Sequence, residues 1–130
     1  KKIIEDPITN IAALLIYAAK IDENYTNKER EMIKKAINEL DPKAQNIEKI
    51  LLKAEELEKN SNQILNFTKE VKNLDKNLKI KIIEILWKII YSDNNPDMYE
   101  NNLMRRLTGL LYLDPKVVGD IKEKVTNDLK

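Results

Sequence analysis

The stretch IAALLIYAAKIDENYTNKEREMIKKAI, residues 11–37, returns without a gap 71 residues later as IIEILWKIIYSDNNPDMYENNLMRRLT, residues 82–108. In each copy an apolar run ends in an acid. Asp22 lies under Asp93, Glu29 under Glu100, and the doublet Lys34 and Lys35 under Arg105 and Arg106. Each copy then closes with Leu-Asp-Pro-Lys, at 40–43 and again at 113–116. A period of 71 to 73 residues is too long for a solenoid unit, and two copies are too few for an array, so the chain reads as one globule built from two related halves.

Composition narrows the class. At 130 residues and 42% hydrophobic content the chain suits one domain, 1–130, with a core that needs no staples. It has no cysteine and no histidine, which removes disulfides, thiolate ligands and imidazole, so any metal must be held by oxygen. The longest apolar run, 11–19, falls far short of the ~20 residues that span a bilayer, and a soluble, cytoplasmic protein is expected. The chain begins with Lys1 rather than methionine and is expected to be a fragment of a longer protein. Its 23 basic residues are balanced by 22 acidic ones with no basic block, so nucleic acid is not an expected partner. Only Arg30, Arg105 and Arg106 are arginine, all on the segments that follow the repeated acids. Retaining Arg in a Lys-rich chain points to a need for its planar fork.

Glycine occurs only at 109 and 119, β alternation is absent, and helix start signals recur, which gives an all-α chain of seven helices. They are expected at about 7–21, from 26 with a Thr26/Glu29 capping box, 42–59 behind Asp41, from Ser61, 76–91 behind Asp75, 98–111 behind Asp97, and 115–128 behind Asp114. The first and fifth are the most apolar and should cross at the centre, setting Ala12, Ala13, Ala18 and Ala19 against Ile83, Ile85, Ile89, Ile90 and Trp87. Tyr17, Trp87 and Tyr91 read as packing residues. The Lys34/Lys35 and Arg105/Arg106 doublets could form a basic patch for phosphate or lipid headgroups, but they read first as solvated faces, as do Glu55, Glu56 and Glu58.

Each acidic segment runs Asp-x-Asn-x-(Thr/Asp), a spacing that also opens an EF-hand. The sixth position, however, is Asn27 or Met98 instead of Gly, and the twelfth is Ile33 or Met104 instead of Glu. Helix capping accounts for Glu29 and Glu100. It leaves Asp22 and Asp93 unexplained, since both follow helix C-termini whose dipole disfavours an anion. Two readings stay open: carboxylates that only cap, and an Asp–Glu pair in each half that shares a hard divalent cation, calcium, magnesium or manganese ahead of zinc.

Ala18-Ala19-Lys20-Ile21-Asp22-Glu23 with Glu29-Arg30 resembles the Ala-x-Ala-Asp-Gly…Glu-Arg signature of the tellurite resistance protein B (TerB) family, and Tyr91-Ser92-Asp93-Asn94 with Glu100 resembles its second occurrence. The likeness covers about 8–125 and departs at Glu23 and Asn94, where the family usually has Gly. It implies a compact seven-helix bundle with an acidic metal site at Asp22, Glu29, Asp93 and Glu100, found alone or joined to other domains such as membrane-anchored J-domain proteins, and linked to tellurite and stress response. Without His, Cys or a glycine-rich loop the chain shows no recognised nucleophile or nucleotide cradle, and the expectation is a non-catalytic module with a protein partner, a membrane-associated one among the candidates, and no small-molecule substrate. The alternative is a structural or interaction domain without metal.

Overall fold

The computed structural model describes residues 7–21, 25–61, 64–93 and 98–128, and of residues 93 and 98–100 the backbone alone. Among these residues the chain forms seven α-helices and no strand: α1 Pro7–Ala19, α2 Asn27–Leu40, α3 Ile47–Lys59, α4 Leu65–Val71, α5 Lys76–Ile90, α6 Met98–Leu110 and α7 Pro115–Asp128. A single 3-10 turn, Tyr91–Asp93, continues α5.

The core is organised around α1. A helix apolar on every side has no face to give to water, and all of α1 except Pro7 and Tyr17 is buried. Its small residues Ala12, Ala13, Ala18 and Ala19 let neighbours approach closely, so α1 packs on α2, α3, α4 and α5. α1 packs on α5 as expected, and Leu14, Leu15, Ile85, Leu86 and Ile89 are all buried. Each central helix nevertheless packs most extensively on the helix two further along, α1 on α3 and α5 on α7. The internal repeat is therefore visible in the packing, with α4 as the piece that has no mate.

The two Leu-Asp-Pro-Lys motifs fold differently, which corrects the expected start of the third helix. Asp114 and Pro115 open α7 at once: the Asp114 carboxylate accepts from Lys116 N at 3.0 Å, and Val118 docks into the core. After Asp41 and Pro42 the chain instead makes a turn closed by Ala44 N to the Asp41 carbonyl at 2.9 Å, and α3 begins only at Ile47 behind Asn46. Residues 43–46 bring no large apolar side chain to bury, so nothing holds a helix there; the stripe begins at Ile47. Asn46 caps from a left-handed conformation, φ 59°, which Asn tolerates. Ser61 likewise does not open the fourth helix. The cap position belongs to Ile64, without a side-chain hydrogen bond, and the helix starts at Leu65, where Phe67, Thr68 and Val71 face the core.

Capping elsewhere follows the residues. Thr26 and Glu29 form the full capping box of α2, and Asp75 accepts from Leu78 N at 2.8 Å to start α5. Helix α6 ends in a Schellman motif in which Leu113 N reaches the Thr108 carbonyl at 3.0 Å and Tyr112 holds the left-handed position, φ 58°. The neighbouring Leu111 carbonyl accepts from Lys79 Nζ of α5 at 2.9 Å, a buried cation at the negative end of a helix. No helix among the described residues is long and apolar enough to cross a membrane.

Candidate functional site

Of the four acids singled out by the repeat, the structure gives a side-chain environment to one. Asp22 lies outside the described residues, as does Asp97, the expected cap of α6. Asp93 closes the 3-10 turn after α5, and Glu100 is in the first turn of α6; their side chains are outside the described set. Glu29 is 6% exposed at the third position of α2. Its Oε1 accepts from Thr26 N at 2.9 Å and from Thr26 Oγ1 at 3.2 Å, while Glu29 N donates back to Thr26 Oγ1 at 3.1 Å. The capping reading of Glu29 is therefore realised in full. Among the described residues no three acidic side chains are grouped as a cation site. The donor chemistry of the four carboxylates remains that of a hard divalent ion, since the chain has no imidazole or thiolate to offer a softer one.

The direction in which the two central helices cross decides whether the repeated segments meet, and the structure shows that their flanks do. Lys28, the residue before Glu29, donates from Nζ to the carbonyl of Ser92, the residue before Asp93, at 3.1 Å. Ser92 is itself held by Oγ donating to the Ile89 carbonyl at 2.7 Å. A cavity of about 300 Å³ opens beside this contact, lined by Lys28, Met32, Lys88 and Tyr91 and closed by Val125 and Asp128 of α7.

The residues flanking the first acidic segment are both tied to α3. Ahead of it, Lys20 Nζ pairs with Glu58 at 2.8 Å; behind it, the Tyr25 hydroxyl donates to Glu55 at 2.8 Å. Arg30 then bridges two carboxylates of α3, Nη2 to Glu48 and Nε to Glu55 at 2.9 Å, and Lys34 adds a second contact to Glu48 at 3.2 Å. This overturns the solvated-face reading of Glu55, Glu58 and Lys34, while Glu56 and Lys35 are exposed as expected. The electrostatics follow from the contacts. Hydrogen bonds from Arg30 and then Lys34 hold the Glu48 carboxyl below its usual range. Hydrogen bonds to Glu48 and then Glu55 hold the Arg30 guanidinium still more firmly protonated. Burial, followed by the hydrogen bond to Glu55, pushes the Tyr25 hydroxyl well above the normal phenol value.

The arginine signal thus proves informative at Arg30, whose fork reaches two acids at once in a way an ammonium does not. It found the cation but not its partners: Glu48 and Glu55 sit among many Lys and Glu residues, and nothing in their local pattern marks them. Arg105 and Arg106 are exposed and make no ion pair or hydrogen bond among the described residues. Trp87 and Tyr91 pack ring to ring at 5.9 Å and Tyr17 against Phe67 at 6.2 Å, as packing residues should.

Comparison with known proteins adds one positive finding. A family model described as Tellurite resistance protein TerB matches residues 9–123, nearly all of the chain. No curated protein and no solved structure matches it.

Proposed function

The chain belongs to the TerB family, and from that premise we propose that it is a non-catalytic cytoplasmic module of tellurite or stress response that holds a divalent cation and docks a protein partner. The carboxylates of Asp22, Glu29, Asp93 and Glu100 would hold the ion, calcium, magnesium or manganese in preference to zinc. The ion would supply charge neutralisation and order to the segments that follow the central helices. The observation that carries this reading is the Lys28–Ser92 contact, which ties together the flanks of the two acidic repeats. Support also comes from Lys20 and Tyr25, whose ties to α3 anchor the first segment on a rigid element. That is how a site is kept from drifting with its loop.

A second reading has its own observation. The Glu29 carboxylate is engaged by Thr26 in a complete capping box, which is all that a purely structural acid needs.

Thermal shift and calorimetric titration with Ca²⁺, Mg²⁺, Mn²⁺ and Zn²⁺ against chelator separate the two, because an ion bound only by the folded state must raise its stability. The expected result is a stabilisation that Asp93→Asn reduces, with Asp22→Asn the weaker variant because Asn94 suits the turn better than Glu23 does. Absence of both binding heat and thermal shift at millimolar ion would leave the capping reading alone.

A further inference from the structure

The two halves also differ between their second and third helices, where the repeat says they should agree. In the first half the facing sides of α2 and α3 are closed by ion pairs, Lys34 and Arg30 on Glu48 with Arg30 also on Glu55. The Leu-Asp-Pro-Lys motifs stand 73 residues apart, but the apolar stripes of the third helices match at the offset of 71, which sets Ile47, Ile50 and Ala54 on Val118, Ile121 and Val125. The same offset sets Lys34 on Arg105, Arg30 on Asn101 and Glu48 on Gly119. The second half has therefore kept a cation and lost the carboxylate that would answer it.

In the structure that position is open. A cleft of about 550 Å³ lies between α6 and α7, with Trp87, Met104 and Val118 among its apolar walls and Arg105 and Lys122 as its cations; no carboxylate among the described residues lines it. Both glycines of the chain, Gly109 and Gly119, line this same cleft, and a Cβ built at either meets nothing within 4 Å. Neither has positive φ, so the backbone does not require glycine there. Gly within a helix is less stable than Ala, so the missing side chains keep space open at a cost in stability. Lys122 Nζ stands 5.2 Å from the Trp87 ring centroid, and the buried Trp87 Nε1 has no hydrogen-bond partner among the described residues.

We propose that the α6/α7 cleft is the docking site for an acidic segment of a partner protein, in which a Glu or Asp beside an apolar residue takes on Arg105 and Lys122 the role that Glu48 plays on Arg30 and Lys34. Charge complementarity selects this occupant, since a cleft with two cations and, among the described residues, no anion disfavours a basic or neutral one, and its apolar walls reward a side chain next to the carboxylate. The proposal names the partner chemistry of the docking role and rests on that role, but not on the cation.

Trp87 is the only tryptophan of the chain, so its emission reads occupancy directly. The full chain, in chelator and low salt, is titrated with a peptide alternating leucine and glutamate. Saturable change in Trp87 emission is expected, weakened at least tenfold by replacing the peptide's Glu with Gln, by Arg105→Gln, or by 0.5 M salt. Gly119→Glu is expected to abolish binding, because it restores an internal partner for Arg105 in space that is open, while Gly119→Ala retains it. No saturable change, equal binding of the Gln peptide, or indifference to Arg105→Gln overturns the proposal. Saturation by succinate at the same concentration as the peptide overturns it too, in favour of a small-carboxylate site. The chelator keeps this result separate from the cation titration, so either idea can fail while the other stands.

Discussion

Lys28 Nζ, on the first turn of α2, lies 3.1 Å from the carbonyl of Ser92 at the end of α5, and this one contact brings the flanks of two segments 64 positions apart to the same end of the core. An ammonium there is a resident positive charge beside the proposed cation. Lys28→Met is expected to tighten divalent-ion binding about two- to fivefold, the size of a like-charge repulsion in a largely hydrated site. Calorimetric titration of the two proteins checks it; unchanged affinity would place the ion, if bound, away from Lys28.

Glu29 separates cap from ligand. Gln also serves in a capping box, so Glu29→Gln should keep most of the stability measured in chelator, whereas Glu29→Ala should lose about 1 kcal/mol. Under the cation proposal Glu29→Gln loses the ion-dependent thermal shift all the same. Denaturant melts with and without ion give both numbers.

Arg30 should be the arginine that resists replacement. Its guanidinium reaches Glu48 and Glu55 together, and an ammonium reaches one at a time. Because all three side chains are partly exposed, screening limits the loss for Arg30→Lys to about 0.5–1 kcal/mol. Arg106→Lys, with no partner among the described residues, should fall within about 0.5 kcal/mol of wild type. Equal effects at the two positions would mean that the fork adds nothing over an ammonium.

Leu15 is fully buried at the centre of α1, so Leu15→Ala should cost about 2–5 kcal/mol as a large-to-small change with partial collapse of the cavity. Chemical denaturation measures it. A loss below about 0.5 kcal/mol would contradict the central place of α1.

The ion-pair network predicts how stability bends at both ends of the pH scale. Glu48 has a folded pKa below its ordinary value of 4.5, so its contribution is present above that value and is lost as the pH falls from there through the folded one. Tyr25 has a folded pKa above its ordinary value of 10.0, so its contribution is present below pH 10.0 and declines as the pH rises beyond it. Melting temperatures against pH should drop on both flanks. Tyr25→Phe should flatten the alkaline drop and Glu48→Gln the acid one.

Helix class, the number of helices and the identity of the core helices were legible in the residues, because amphipathic period and capping chemistry are local. The capping box at Thr26 and Glu29, the Asp75 cap and the all-round apolarity of α1 needed only neighbours in the chain. Leu-Asp-Pro-Lys marks the limit of that locality. The same four residues start α7 and fail to start α3, because the residues next in the chain, with Val118 in one case and only 43–46 in the other, decide whether the first turn has anything to bury.

Across the candidate site, residue type alone determined which groups could bear chemistry: four repeated carboxylates, and an arginine kept where lysine was the default. Only the tertiary structure decided the rest. It chose which of many glutamates answer Arg30, brought Lys28 to Ser92, and set Arg105 in a cleft lined also by Gly119 and Lys122, where its counterpart Lys34 pairs with Glu48. Ion pairs between helices depend on crossing direction and helix rotation, and these are set by how the apolar faces interlock over the whole core, a property no single segment carries.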